Sequence, residues 1–223
     1  YYAVVIVHRW GWRIVTEDTG AAGPSSDHAA ILWAEKPETP SRLLAVLLIL
    51  LFLKAILLIP HLIIVSFYQF VAGIVAWIGF WIVLFTGTLP QGFHDFILGS
   101  LRWSWRTNAW FYGIVDEYPP FAADAEYPAD ADCYYSDYGS RLFAVLRLLG
   151  IVWILLLPHY FVLLALSLVA LLGLFIAPWG VVFTGGYSQF AFNLLVGLSR
   201  WQHRVTAYSM GLTDDYPPFR MGH

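Results

Sequence analysis

The feature that most constrains this chain is a tandem duplication. The stretch DEYPPF at 116–121 returns as DDYPPF at 214–219. Further motif pairs keep the same order: SRLLAVL at 41–47 with SRLFAVL at 140–146, IPH at 59–61 with LPH at 157–159, LFTG at 84–87 with VFTG at 182–185, and GSLRWSWR at 99–106 with GLSRWQHR at 197–204. The spacing is 99 residues at the first of these pairs and 98 from Pro-His onward. Order kept over such a length indicates two copies of one structural unit.

Each copy opens with a long apolar run, 43–86 in the first and 142–184 in the second. As a single helix the first run would be about 66 Å long, whereas the hydrocarbon core of a bilayer is about 30 Å thick. Two passes accommodate that length. We therefore predict a helical hairpin in each copy, with the first reversal between 62 and 70, where Ser66 and Gln69 interrupt the apolar residues.

Composition assigns the chain to the membrane proteins. It is 59% hydrophobic and 12% charged, about half the ~25% charged residues of a soluble domain. The predicted fold is an all-α membrane protein with four transmembrane helices, two in each repeat. Nearly every Lys and Arg lies outside the hairpin tips, so the positive-inside rule places both termini and the connection between the copies in the cytoplasm.

Charge and cysteine content exclude a nucleic-acid surface, a disulfide within the chain and a cysteine metal cluster. The net charge of −3 offers no basic surface for nucleic acid. Cys133 is the single cysteine, which excludes an intramolecular disulfide and a cysteine metal cluster.

A polar stripe follows each hairpin, over about 91–113 and 189–211. Spacings of four, three and four residues place its members on one helix face: Asp95, Gly99, Arg102 and Arg106 in the first copy, and Asn193, Gly197, Arg200 and Arg204 in the second. An amphipathic helix in the membrane interface avoids burying these arginines in hydrocarbon. The favoured interpretation is a solvated stripe. The alternative is that the arginine pairs bind lipid phosphate or the carboxylates of a partner.

The DEYPPF motif is predicted to end each amphipathic helix, because the two prolines cannot continue it. A peptide-docking role is the alternative. The predicted domains are an N-terminal extension with possible short strands and a loop (1–40), repeat 1 (41–121), an acidic solvated linker (122–139) and repeat 2 (140–223).

Pro-His, FTG, the aromatic RW helix and DEYPPF, in this order, resemble an uncharacterised family of bacterial membrane proteins, a domain of unknown function that occurs as single or tandem copies. The resemblance covers 41–121 and 140–219. It implies a multi-pass protein of the bacterial cytoplasmic membrane, and it supplies no catalytic residue and no cofactor. The family usually has FTG-R-Y-P, whereas this chain has FTGTLP at 85–90 and FTGGYS at 183–188, so both copies lack the basic residue.

His61 and His159 are the candidate cofactor ligands. Each follows a proline in an apolar run, and the duplication should relate them by a pseudo-two-fold axis. Imidazoles that face each other across a bundle could ligate haem or a chlorophyll-type pigment, or relay protons. The favoured alternative is a histidine that bonds the carbonyls freed by the proline, or one that lies near the headgroups.

Lys54 is predicted to lie near the middle of the bilayer, with Trp153 as its counterpart and no acid in either hairpin. An ionisable group there requires water or a counter-charge. We therefore expect Lys54 to contact a neighbouring subunit or an anionic lipid, as an alternative to reaching the interface along its own stem.

The sequence contains no phosphate-binding glycine loop, no zinc-spaced histidine pair and no nucleophile elbow. The expected function is a non-catalytic accessory or scaffolding subunit in a hetero-oligomer with other membrane proteins, surrounded by lipid. No metal or cofactor is required. The alternative is a carrier of lipid or small molecules with a site at the repeat interface.

Overall fold

The computed structural model describes residues 5–8, 11–14, 28–50, 52–122 and 125–222. Its elements in chain order are β1 (Val5–His8), β2 (Gly11–Ile14), β3 (Ala30–Ala34), α1 (Arg42–Ile49), α2 (Phe52–Thr86), α3 (Gln91–Phe111), β4 (Ala129–Cys133), α4 (Arg141–Leu148), α5 (Ile151–Leu155), α6 (Leu157–Thr184) and α7 (Gln189–Ser209). The described chain is mostly helical and contains the predicted tandem repeat.

The first apolar run forms one short helix and one long helix, so the predicted hairpin is wrong. Helix α2 is continuous for 35 residues through the expected reversal at 62–70. Ser66 and Gln69 lie within it, because an isolated Ser or Gln is tolerated in a helix interior and neither breaks the hydrogen-bond ladder. The second copy also has a short helix followed by a gap, and it has one further interruption at Leu156, between α5 and α6.

The chain reverses at the FTG motif instead. Gly87 has a φ of +83° and Gly185 a φ of +75°, a left-handed conformation that glycine adopts without the steric cost of a Cβ. Each long helix therefore ends there, and α3 and α7 run back along α2 and α6.

Contacts at three levels show that α2 and α3 pack side by side and antiparallel. Near the FTG turn, a Cβ on Gly79 would lie 2.7 Å from the Leu89 side chain. Further along, Tyr68 Oη donates to Phe96 O at 3.0 Å. Beyond that, the ring centroids of His61 and Trp103 are 6.2 Å apart.

The two repeats exchange their leading segments. Strand β3 precedes the first copy but packs on α7 of the second, and β4 precedes the second copy but packs on α3 of the first. Likewise, α1 packs on α6 and α4 packs on α2. The strands join in an antiparallel pair with Leu32 opposite Ala131. Neither repeat therefore completes its core alone.

Strand β4 lies in the segment predicted to be a solvated linker, which corrects that expectation. Its alternating sequence ADADC buries Ala129, Ala131 and Cys133, and leaves the two aspartates partly exposed. A strand with period-2 burial is one layer of the fold.

Two of the described helices are long and apolar enough to cross a membrane, Leu53–Thr86 and Leu157–Thr184. The two hairpins on which a count of four spans was based are not formed. Most of the surface of both long helices is apolar and exposed, for example at Phe67 and Phe161.

Because each repeat is completed by the other, we expect two separately expressed halves, 1–123 and 124–223, to assemble. A tag on one half should recover the other at 1:1 stoichiometry from detergent-solubilised membranes of cells that express both. Expressed alone, each half should aggregate or form a homodimer that replaces the missing contacts. A half that is a folded monomer by analytical ultracentrifugation would contradict the exchange.

Candidate functional site

The residues of highest chemical interest cluster around the two DEYPPF-type motifs, called here the first tail (116–121) and the second tail (214–219). Gly113 and Gly211 lie two residues after the ends of helices α3 and α7, with φ of +72° and +79°. Each glycine reverses the chain and directs the tail back toward the start of the same repeat.

The tail acid caps the short helix. Asp116 Oδ2 accepts from the backbone N–H of Ser41 at 2.7 Å, and Asp214 Oδ2 accepts from that of Ser140 at 2.7 Å. Ser41 is also the N-cap of α1, since its side chain accepts from Leu44 N. A carboxylate at this place also interacts favourably with the positive end of the helix dipole.

The tail tyrosine is hydrogen-bonded to the long apolar segment of its own repeat. Tyr118 Oη donates to Leu57 O at 2.8 Å, and Tyr216 Oη donates to Leu155 O at 3.0 Å. These bonds satisfy carbonyls next to the Pro-His motif. The tail thus connects the end of the repeat to its start, which favours a structural role over peptide docking.

His61 and His159 do not face each other, and the predicted ligand pair is not formed. Each ring stacks on the phenylalanine of its own tail, Phe121 or Phe219, with centroids 3.8 Å apart. Both histidines are fully buried. The Nε2 atom of each has no hydrogen-bond partner among the described residues.

The two histidines make different hydrogen bonds. His61 Nδ1 lies 3.0 Å from Tyr118 Oη; because that hydroxyl donates to Leu57 O, the ring nitrogen is the donor. His159 Nδ1 instead accepts from Trp201 Nε1 at 2.9 Å. The neutral rings therefore carry their protons on different nitrogens. Neither ring bonds a carbonyl freed by its proline, so this form of the favoured alternative is wrong. Its other form, a position near the headgroups, stays a prediction.

Lys54 is inside the molecule and not on an outward face, which corrects the prediction that it contacts lipid or a partner. Its side chain is fully buried, and Nζ lies 4.5 Å from the centroid of the Trp110 ring. Asp116 of the first tail supplies the nearby negative charge. The pattern of the apolar run does not indicate this partner, because Asp116 lies outside the run.

Arg147 occupies the matching place in the second copy. It pairs with Asp214 Oδ1 at 2.8 Å, and it donates to Tyr208 O and Thr213 O at 3.1 and 2.8 Å. Tyr208 and Asp214 are the counterparts of Trp110 and Asp116 at the repeat spacing of 98. Each tail acid therefore has a buried cation next to it.

These two cations come from different positions in the repeat. Arg147 on α4 corresponds to Leu48 on α1. Leu57 and Leu155 are equivalent positions, because the backbone carbonyl of each accepts a hydrogen bond from the tyrosine hydroxyl of its tail. Lys54 lies three residues before Leu57, and Val152 lies three residues before Leu155. Lys54 and Val152 are both fully buried. The counterpart of Lys54 is thus Val152 and not the half-exposed Trp153.

The arginine stripe of α3 is paired internally. Arg102 Nε lies 2.8 Å from Asp130 Oδ1 and donates to Ala131 O at 3.0 Å. Arg106 Nη2 lies 3.4 Å from Asp130 Oδ2, and Nη1 donates to Ala122 O. The acids belong to the segment predicted to be a solvated linker.

The stripe of α7 has carbonyl partners only, within the described residues. Arg200 Nε donates to Leu32 O at 2.9 Å, and Arg204 donates to the carbonyls of Gly222 and Arg220. At the repeat spacing of 99, the positions of Asp130 and Asp132 are taken by Ile31 and Trp33. Burial and the nearby Arg220 and Arg200 lower the pKa of Arg204 to about 10, so it stays charged at neutral pH.

Arg106 and Arg204 are each 2% exposed. These two guanidinium groups are enclosed, so the favoured interpretation of a solvated stripe is wrong for them. They also cannot reach a lipid phosphate or a partner's carboxylate, so the alternative is wrong for them as well. Arg102 and Arg200 are only partly buried, but their Nε atoms are already bonded to the β3–β4 strands.

An arginine from the opposite repeat lies against each FTG glycine. A Cβ on Gly87 would lie 3.7 Å from Arg141 Nε, and one on Gly185 would lie 3.3 Å from Arg42 Nη2. Both copies lack the basic residue that usually follows FTG in the family they resemble. The structure thus brings a basic group to this turn from another part of the chain.

A comparison with known families gives one match. The family described as "Domain of unknown function (DUF4389)" matches residues 49–123 and 144–220. The chain therefore belongs to this family, in tandem form, which confirms the resemblance drawn from the sequence. Both matches include the long helix, its returning helix and the tail, and leave out the leading strand. No curated protein and no solved structure matches the chain.

The buried cation next to the tail acid should stabilise the fold either from the long helix, as Lys54 does, or from the short helix, as Arg147 does. Replacing Lys54 by Val should lower the thermal midpoint in detergent, because Asp116 loses its neighbouring positive charge. The double variant Leu48→Arg/Lys54→Val places an arginine as in the second copy and should recover much of the loss. Arg147→Leu should cost about 1.5–3 kcal/mol, since the partly exposed Asp214 loses its ion pair and the carbonyls of Tyr208 and Thr213 lose their donor.

The mirror variant Arg147→Leu/Val152→Lys is the matched control for this exchange and should also be more stable than Arg147→Leu alone. Leu48→Arg with Lys54 retained should be destabilising, because it brings two cations to one carboxylate. Double variants no more stable than the sum of their single changes would contradict the shared site.

Acid should destabilise the fold through His203. Burial lowers its pKa from 6.5 to about 4, while its Nε2 bonds Asp132 O. The unfolded chain binds a proton below about pH 6.5 and the folded chain does not until about pH 4, so the stabilisation is complete above 6.5 and is lost as pH falls toward 4. The total change is about 3 kcal/mol.

The measurement for this prediction is the unfolding free energy from pH 7.5 to 4.5, compared with His203→Gln, which keeps a donor for the Asp132 carbonyl. His28 and His94 also have pKa values lowered by burial, so only the difference between the two proteins is diagnostic. Parallel pH profiles would show that His203 does not contribute.

Proposed function

We propose, for this tandem member of the DUF4389 family, a non-catalytic role as an accessory or scaffolding subunit of a larger complex in the bacterial cytoplasmic membrane. One observation carries the proposal. The buried charges that could do chemistry are engaged in contacts within the described chain, while the surface of the long helices is apolar and exposed. Such a molecule offers its outer surface, and not an internal site, to its surroundings.

The cations next to the tails and the arginines of the α3 stripe support this assignment, because they lie beside carboxylates of the same chain. The cations behind the tails face Asp116 and Asp214, and the stripe of α3 faces Asp130. Among the described residues no cluster of three or more metal-ligating side chains is formed. A scaffold requires neither a free nucleophile nor a cofactor.

For the orientation we propose that the basic residues lie on the cytoplasmic side, following the positive-inside rule. The residues concerned, Arg102, Arg141 and Arg200 among them, belong to the strand-covered part of the fold or to its edges. The apolar long helices would lie below them, in lipid.

A carrier function is the second candidate, favoured by one feature. A groove of about 310 Å³ lies between α1 of the first copy and α6 of the second, lined by Leu48, Ile49, Leu171, Leu172, Leu174, Phe175 and Pro178. At the other junction the counterpart of Pro178 is Phe80, whose ring packs against Gly211. Proline is smaller than phenylalanine, and an acyl chain suits the apolar walls of the groove.

Co-purification in a mild detergent tests the scaffold. The tagged chain should recover a partner at fixed stoichiometry from its native membranes. Changing Phe67, Phe70 and Trp77 of α2 to Leu keeps the surface apolar but alters its shape, and the same change at Phe161, Phe175 and Trp179 of α6 is the matched control. Loss of the partner with one set supports a shape-specific interface. No stoichiometric partner, or a partner insensitive to both sets, opposes the scaffold.

Bound lipid tests the carrier. Leu172→Trp should narrow the groove between α1 and α6 and reduce the lipid that remains bound to the purified protein, as quantified by mass spectrometry. The control Leu164→Trp changes an exposed residue of the same helix away from the groove. Equal lipid content in all three proteins would leave the scaffold as the better proposal.

A further inference from the structure

We infer that α2 and α6 lie in the plane of the membrane, embedded in a single leaflet, instead of crossing it. The surface formed by these helices would then be an interface with one lipid leaflet. This inference rests on the membrane residence assumed in the proposed function, and it adds how the protein sits there. It follows from the elements that lie beside the long helices, namely α3, α7 and the extended segments that contain β3 and β4.

The first step concerns direction. Helices α2 and α3 are in contact from Gly79 and Leu89 near the FTG turn to His61 and Trp103. Two helices that stay together over this length share one orientation. If α2 crossed the bilayer, α3 would cross it as well.

The second step is that an extended segment follows α3 along its whole length. At one end, Tyr127 Oη donates to Glu117 O at 2.7 Å. Arg102 meets β4 in the middle, and Tyr135 Oη reaches Leu89 O at 2.8 Å. At the far end, Gly139 N donates to Gly87 O at 2.8 Å.

The second copy has the same arrangement. His28 Nε2 lies 3.3 Å from Asp215 O, beyond the end of α7. Leu32 O accepts from Arg200 in the middle of the helix, and Lys36 Nζ donates to Gln189 Oε1 at 2.8 Å at its beginning. The segment that contains β3 therefore follows α7 from end to end.

These extended segments cannot lie in hydrocarbon. They carry exposed charges, among them Glu35, Lys36 and Asp137, and the backbone on either side of the short strands β3 and β4 is irregular. Lipid-exposed sheet edges and irregular backbone do not occur in the hydrocarbon core, because their polar groups find no partner there. A charge at mid-bilayer adds about 2.5–3.5 kcal/mol each. Crossing helices would carry both segments through this region.

An in-plane position removes that conflict and also accommodates the helix lengths. Helix α2 has 35 residues and α6 has 28, or about 52 and 42 Å, against a hydrocarbon thickness of about 30 Å. A helix parallel to the membrane needs no match to this thickness. The strand side then faces water, and the apolar side faces acyl chains.

The distribution of exposed residues agrees with one immersed side. Among the described residues outside 42–86 and 141–184, every exposed large apolar side chain is a Phe or a Tyr: Phe96, Tyr118, Phe121, Tyr134, Tyr138, Phe190, Tyr216 and Phe219. Aromatic rings are the residues that collect at headgroup level. The aliphatic exposure is confined to α1, α2, α4, α5 and α6 and their junctions.

Cysteines at opposite ends of α3 test the inference. Gln91→Cys and Glu117→Cys change exposed positions, in a Cys133→Ala background that removes the buried native thiol. A membrane-impermeant maleimide is applied to sealed spheroplasts and to inverted vesicles, with detergent-permeabilised samples as the positive control. In a single leaflet, both positions react from the same side, expected to be the cytoplasmic one.

Labelling of Gln91→Cys from one side and Glu117→Cys from the other would show that α3, and α2 with it, crosses the membrane. Protection of either position from both sides would place an end of α3 in hydrocarbon and would also overturn the inference. Failure of membrane residence itself is distinguishable, because the protein would then be extracted by alkaline carbonate.

A depth measurement along α2 gives a second, independent result. Nitroxide labels at Ile63, Ile74 and Phe85, all exposed, should show similar ratios of oxygen to nickel-complex accessibility in liposomes. A crossing helix would instead be deepest in its middle and shallow at both ends.

Discussion

The fold depends on each repeat completing the other. Strand β4 covers α3 and strand β3 covers α7, and each short helix packs on the long helix of the opposite copy. The strand from the other copy supplies a carbonyl to Arg102 and to Arg200, and on α3 its Asp130 also pairs with Arg102 and Arg106. Without that strand these arginines would lose a partner that compensates their desolvation. The exchange therefore also sets which face of α3 and α7 can be polar.

Each tail connects the end of its repeat to the short helix and the long helix at the start of the same repeat. Asp116 accepts a hydrogen bond from the backbone N–H at the N-cap of α1, while Tyr118 and Phe121 contact α2 beside the Pro-His motif. Because the carboxylate is partly desolvated, a cation has to lie near it, which is why Lys54 and Arg147 are buried in an apolar setting. The most polar residues of the long apolar runs are thus explained by an acid that lies far away in the sequence.

What the sequence predicted and what it missed have physical reasons. The repeat, the polar stripe of Arg102 and Arg106 and the tail as a terminator were visible, because each is a local pattern. The hairpin was wrong because the length of an apolar run does not distinguish two passes from one long helix that needs no match to bilayer thickness. The partners Asp130 and Asp132 were overlooked although Ala-Asp-Ala-Asp-Cys has the alternation of a strand. No local signal could have paired Lys54 with Asp116.

The differences between the halves follow from their being joined in one chain. In a symmetric dimer of single copies, both tail cations would have to come from the same position and both stripes would meet the same strand residues. Here the cation comes from α2 in one half and α4 in the other. Asp130 pairs with the α3 stripe, whereas the corresponding residue of the other strand is Ile31. Phe80 packs against Gly211, whereas its counterpart Pro178 lines a groove. The covalent tandem therefore lets equivalent positions of the two halves carry different side chains. At the α1–α6 junction these side chains line a groove with apolar walls, where a ligand would meet residues that the other half does not repeat.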